Sequence, residues 1–453
     1  MRSLVSKSLR ATLLTLTLAL VVVAATPITS LRAQTPGEIS IVCENETSPG
    51  SGVYDTTVTL TTADGYIGIP DGNTVYMWGY AYEGGAFQHP GPTLCFNESD
   101  VVEITLSNTT PLYGYTITGP VAEAVSIVFP GQTGVEVDTG SGFVPVQPQF
   151  SGSTLTSLAQ PAASGGSVTY RFTASQAGTF IYESGTDPQK QVQMGLFGAI
   201  VVRPTLGANY IFDWAFTQFN PANDYMMLLS EIDPELHWAV EQGLPYNITL
   251  YHPRYWLING RSFPDTIAPN DAEWLPTQPY GALLHIQPRD ADTNPQPSAV
   301  RFLNVGMRSH PMHPHGDHIQ VVGRDGRPLL GSGGENLSYA EFGPVIGAGQ
   351  TKDTLYDWEQ IQLADPVPND VFEALNEFLL RPRDQNLMWG EWFSGNPYLG
   401  ETTDRPTGVT AQGECGEYYH IWHSHALHEA ANYEAGFGGM ITLERIDPPG
   451  GCP

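Results

Sequence analysis

Eight of the chain's 12 histidines lie in two short stretches, His310, His313, His315 and His318 in one and His420, His423, His425 and His428 in the other. Each stretch holds a His-x-His pair, in His313-Pro-His315 and His423-Ser424-His425. In an extended strand side chains alternate faces, so the two rings of such a pair project from one face about 6.6 Å apart. Neutral imidazole is a ligand for copper, zinc and iron, and two facing pairs supply four nitrogens. A lone histidine is more often a hydrogen-bonded core residue; two dyads mark a metal or catalytic site. The expected ligands are His313, His315, His423 and His425. His310 and His428 are candidates for a weaker second site, and His318 and His420 for groups that orient ligands. His89, His237, His252 and His285 are scattered and read as ordinary surface or core residues.

The elements that must position these rings read as strands. Short alternating runs recur between Gly- and Pro-rich turns, as in Val102/Ile104/Leu106, Val168/Tyr170/Phe172 and Val300/Phe302. That texture is all-β sandwich or barrel. A break falls at Arg203-Pro-Thr-Leu-Gly207, which suggests one domain over 34–204 and a second, carrying the histidines, over 205–453. One helix is expected within the second, over residues 369–380, where Asn369 is a suitable cap and Val371, Leu375, Phe378 and Leu379 form an apolar stripe. The aromatic loop 388–396 reads as cover for a core.

Arg2, Lys7 and Arg10 precede an apolar stretch over 13–25, with small-residue cleavage options at Ala25 and Ala33. This is the pattern of a secretory signal over residues 1–33, short for a bilayer span, with an uncleaved anchor as the alternative. Removing Arg2, Lys7, Arg10 and Arg32 from the 19 basic residues leaves 15 against 47 acidic ones, a net charge of −32. Such a chain repels nucleic acid and anionic membranes. Four cysteines suit two disulfides in an oxidising compartment; the pairings expected are Cys43 with Cys452 and Cys95 with Cys415.

Over most of its length the chain resembles the multicopper oxidases, built of plastocyanin-like (cupredoxin) domains. The resemblance is carried by Pro90-Gly-Pro-Thr-Leu94, Gly178-Thr-Phe-Ile-Tyr182, Met194-Gly-Leu-Phe-Gly198, Leu257-Ile-Asn-Gly260, the two histidine stretches and Glu434-Ala-Gly-Phe-Gly-Gly-Met440. It implies two cupredoxin-like Greek-key domains with a short helical insertion in the second. It also implies four His-x-His dyads, yet Val128, Pro130, Glu183 and Gly185 stand at the first-domain ligand positions, and of these only Glu183 could bind metal or donate a proton. Where the family has the cysteine of its blue copper centre, this chain has Ser424, a hard neutral oxygen.

These features together suggest a secreted copper protein with one or two ions in a histidine site, zinc being the other metal the site could take. It would act as an oxidoreductase on a small-molecule or metal-ion reductant, and Glu183 is the candidate catalytic group. Relatives of two domains assemble as trimers, so a homo-oligomer is implied as well. The rival reading is a non-catalytic metal-binding or structural module.

Overall fold

The computed structural model describes residues 40–109, 112–116, 119–287, 296–315, 318–357, 418–433 and 437–446. Within the unit spanning residues 35–453, the described strands form two pairs of larger sheets. In the first half, a six-stranded sheet runs Thr74–Tyr82, Thr57–Gly68, Val101–Ser107, Ser167–Thr173, Glu136–Asp138, Phe143–Pro145. It faces a four-stranded sheet of Leu94–Asn97, Phe197–Arg203, Gly178–Ser184 and Ile127–Val128 across a shared apolar core. The fold is all-β, as the alternation predicts. Val102, Ile104 and Leu106 point inward against Val168, Tyr170 and Phe172, while the residues between them are partly exposed.

In the second half the large sheet runs Tyr255–Ile258, Asp224–Ile232, Ser298–Asn304, Thr351–Tyr356, Ile319–Arg324, Arg327–Pro328. The opposing sheet runs Leu284–Ile286, Ile441–Ile446, Tyr418–Ser424, His310–Pro314, Val345–Ile346. The two enclose a core in which Val300, Phe302, Met312, Tyr356 and Trp422 meet. Both histidine stretches therefore lie on neighbouring strands of one sheet, and the core on its inner side holds that sheet's position.

The halves are welded by a third apolar cluster, in which Ile181, Phe197 and Val201 pack on Met226, Leu228 and Leu303. Beside it Arg301 reaches Asp224 at 2.7 Å and Asp353 at 3.3 Å, and it also donates to the hydroxyl of Thr179 across the seam. Buried charges of this kind are tolerated because each is paired.

The disulfide joins Cys43 to Cys95, not either to the C-terminal cysteines. Backbone pairing decides it: Glu44 donates to the Thr93 carbonyl, and the Asn45 side chain both accepts from Cys95 N and donates to Cys95 O. The segment around Cys43 is thereby laid along strand Leu94–Asn97, with the two Cα atoms 5.5 Å apart, a bridging distance. Cys415 and Cys452 lie outside the described residues, as do the expected helix over 369–380 and the aromatic loop 388–396.

Candidate metal centre

Strand His310–Pro314 runs antiparallel to strand Tyr418–Ser424 in a register that sets His313 directly opposite His423, Met312 opposite Ser424 and Pro314 opposite Trp422. The ladder continues past both strand ends, His315 N donating to Ile421 O and His425 N to Pro311 O. Side-chain parity then puts His313, His315, His423 and His425 on one face, and Met312, Trp422 and Ser424 on the core face. Burial agrees: His313, His315 and His423 are half-buried and His425 exposed, while Met312, Trp422 and Ser424 are closed off from water.

One nitrogen from each of His313, His315 and His423 falls within 4.8 Å of the others, an arrangement that could hold a metal ion. The His425 ring stands 5.1 Å from that of His313 and 5.8 Å from that of His423, at the rim. His313 Nδ1 lies 2.5 Å from the Phe342 carbonyl and His423 Nδ1 lies 2.8 Å from the Ser424 carbonyl. A carbonyl only accepts, so Nδ1 is the donor in both rings, which leaves Nε2 as the ligating atom of each ring when it is neutral. His315 Nε2 sits 3.1 Å from His423 Nε2. Two such nitrogens face each other stably only with a proton or a cation between them.

Burial, then the neighbouring rings of His423, His313 and His425, pushes His315 down to about 4, and burial also lowers His423. Neutral imidazole is the ligating form, so the site is prepared for metal at neutral pH. The donor set, three imidazoles without thiolate, fits copper or zinc.

His310 and His428 do not come together. They flank the Trp256 ring, at 6.0 and 5.2 Å between centroids, and His428 is 65 % exposed. Both nitrogens of the buried His310 are engaged by carboxylates, Nε2 with Glu231 at 3.0 Å and Nδ1 with Glu429 at 2.9 Å. Burial opposes charge on this ring, but the two acids outweigh it and hold His310 up at about 9. In place of a second pair of ligands there is an imidazolium between two acids. Ser424 donates to the same Glu429 carboxylate. Glu231 and Glu429 were silent in the sequence, because an acid 79 residues from its histidine partner has no local pattern; Glu429 at least follows His428.

His318 lies against Phe342, with ring centroids 6.1 Å apart, and His420 is buried, its ring pushed down to about 3 by burial and then by His315. Glu183 is placed in the first half, opposite Val128, and Ser184 opposite Ile127. Val128 and Glu183 thus pair across two strands as His313 and His423 do in the second half. Burial raises the Glu183 carboxyl, whose charge is felt by Tyr80. Among the described residues, no hydrogen bond or ion pair given by the structure joins Glu183 to the histidines.

Residues 152–206, which include strands Gly178–Ser184 and Phe197–Arg203, match the family model of the multicopper oxidases. Among solved structures the chain is similar to a multicopper oxidase titled mgLAC, at 19 % identity over 86 % of each chain and a TM-score of 0.51. This is a multicopper oxidase fold. A blue copper oxidase from Nitrosomonas europaea aligns at 18 % identity over 86 % of this chain and 85 % of its own, with a TM-score of 0.49. A copper nitrite reductase from the same organism aligns at 18 % over 86 % and 93 %, with a TM-score of 0.46. No curated protein matches the sequence. On the multicopper oxidase fold, the His313/His423 pairing occupies the second half alone; Val128, Pro130 and Gly185 offer no ligand atom in their side chains.

Proposed function

We propose that this chain is a secreted copper oxidoreductase that works with a reduced complement of metal, held by His313, His315 and His423 with His425 at the rim. The observation that carries the reading is the facing of His315 Nε2 and His423 Nε2 at 3.1 Å beside His313, with the Nδ1 atoms of His313 and His423 tied to carbonyls. Copper bound there would supply one-electron redox chemistry.

The chain's own residues do the remaining work. Phe342 O and Ser424 O fix the tautomer and ring plane of two ligands. The exposed position of His425 leaves one side of the cluster open to a small reductant or oxidant. Ser424 cannot act as a soft ligand, and its hydroxyl is committed to Glu429. With the first-half positions held by Val128, Pro130 and Gly185, an identical neighbouring subunit would bring the same gaps. The reading is therefore of one- or two-electron chemistry rather than four-electron reduction of oxygen. Secretion is supported by the charged and apolar pattern of residues 1–33 and by the disulfide. Among the described residues no helix is long and apolar enough to cross a membrane.

Loading the purified protein with copper and recording its electron paramagnetic resonance tests this. Imidazole-coupled copper that an added reductant bleaches is the expected result. Stoichiometric zinc, retained against copper and giving no redox response, would establish the rival scaffold role.

A further inference from the structure

Trp422 stands next to His423 in the chain but on the opposite face of the strand, wholly buried in the core. Its Nε1–H donates to Glu444 Oε2 at 2.6 Å, and the buried Tyr356 hydroxyl donates to Glu444 Oε1 at 3.2 Å. The two rings are 5.1 Å apart at 77°, and Phe302 stacks on the indole at 12°. Glu444 is itself fully buried. Buried indole N–H and phenol O–H groups need acceptors, but backbone carbonyls serve that need without desolvating an acid. Here one carboxylate, a base able to take a proton, is shared by two side-chain types that can each give up one electron, one residue from a metal ligand.

We infer that Tyr356 and Trp422, with Glu444 as proton acceptor, donate one electron to chemistry at the histidine cluster. The inference rests on the copper reading above. A site holding one copper ion supplies a single electron, whereas cleaving the O–O bond of a peroxide takes two. In the full step copper(I), held by the histidines, would supply one of the two electrons. The other comes from Trp422, whose Nε1 proton passes to Glu444. Tyr356 then returns an electron to Trp422 while Glu444 gives back that proton and takes the one from the tyrosine hydroxyl. The end state is a neutral Tyr356 phenoxyl, a protonated Glu444 and two waters, formed from the peroxide and two solvent protons. The exchanges among Trp422, Tyr356 and Glu444 pass between groups in ring contact or hydrogen-bond contact, and the electron bound for the cluster leaves from the residue next to the ligand His423.

The test is freeze-quench electron paramagnetic resonance on the full protein, copper-loaded, reduced with ascorbate freed by gel filtration, then mixed with hydrogen peroxide. Expected is a tyrosyl signal beside that of copper(II), narrowed when the protein carries ring-deuterated tyrosine and lost in Tyr356→Phe. That variant removes one hydroxyl and keeps the ring, so the core stays filled, and its copper(II) spectrum should match wild type. Glu444→Gln, which keeps an acceptor but no base, should slow radical formation by roughly 100-fold. A tyrosyl signal unchanged in Tyr356→Phe, or no radical from a protein whose copper spectrum shows imidazole ligation, overturns the inference while leaving the metal centre standing. Absence of any imidazole-bound copper overturns both.

Discussion

Glu429 and His310 are joined at 2.9 Å although 119 residues separate them, and the same carboxylate accepts from Ser424. Ser424 lies between His423 and His425, and His310 begins the strand that carries His313. One buried acid thus ties together the two strands that carry His313 and His423 and end one residue before His315 and His425.

Glu429→Ala should therefore cost stability and metal affinity together. Removing one partner of a buried ion pair costs about 3–5 kcal/mol, and loosening the register should weaken copper binding roughly 10- to 100-fold, as loss of an outer hydrogen-bond partner does. Urea denaturation and a competitive copper titration measure the two. A variant with wild-type copper affinity would show that Glu429 has no part in holding the site.

His310 also predicts an alkaline limit. Its folded value of about 9 lies above the ordinary 6.5, so its contribution is complete below the unfolded value and is lost as pH rises through 9. The full span is on the order of 3 kcal/mol. Denaturation midpoints followed from pH 7 to 10 should fall in wild type and flatten in His310→Gln; parallel curves would refute the assignment.

Two histidines away from the metal centre contribute to an acid limit. His89 is pushed down to about 3 by burial and then by His237, and burial pushes His237 down to about 4 although it donates to the Tyr76 carbonyl. The unfolded chain binds protons at these positions below about pH 6.5 and the folded chain refuses them, so stability should decline as pH drops from 6.5 toward 4. Each ring contributes up to about 1.4 kcal/mol per pH unit. His89→Gln should shallow that decline, as read from denaturation between pH 7 and 4.5.

Ligand substitutions should separate by position. His423→Ala and His313→Ala remove nitrogens held toward the shared centre, and copper affinity should fall by more than roughly 100-fold, beyond the cost of losing an outer partner. His425→Ala, at the exposed rim, should cost no more than about 10-fold. Equal losses in isothermal titration would mean that all four rings share one ion.

The Cys43–Cys95 bond closes a separation of 52 residues. Chain entropy puts the stabilisation from such a loop at about 4 kcal/mol. A Cys43→Ser/Cys95→Ser double variant should show that loss in its urea midpoint with the metal-binding site intact, since the bond lies in the first half.

Strand character and the sharing of a face within each dyad were legible in the residue order, because a strand's period of two is local: Val102/Ile104/Leu106 and His313/His315 obey the same rule. So was the absence of a soft ligand at Ser424. What the residue order could not decide was which dyad residue meets which. A one-residue slip would have turned one dyad into the core, and only the packing of Met312, Trp422 and Ser424 on the inner face selects the register that sets His313 against His423. Tertiary contacts also overturned the expected cysteine pairing, through the Asn45 bonds along strand Leu94–Asn97. They likewise surrounded His310 with acids from 79 and 119 residues away. Periodicity along one strand is written in neighbouring residues; partnership between strands is settled by which faces can be buried together, a property of the whole chain.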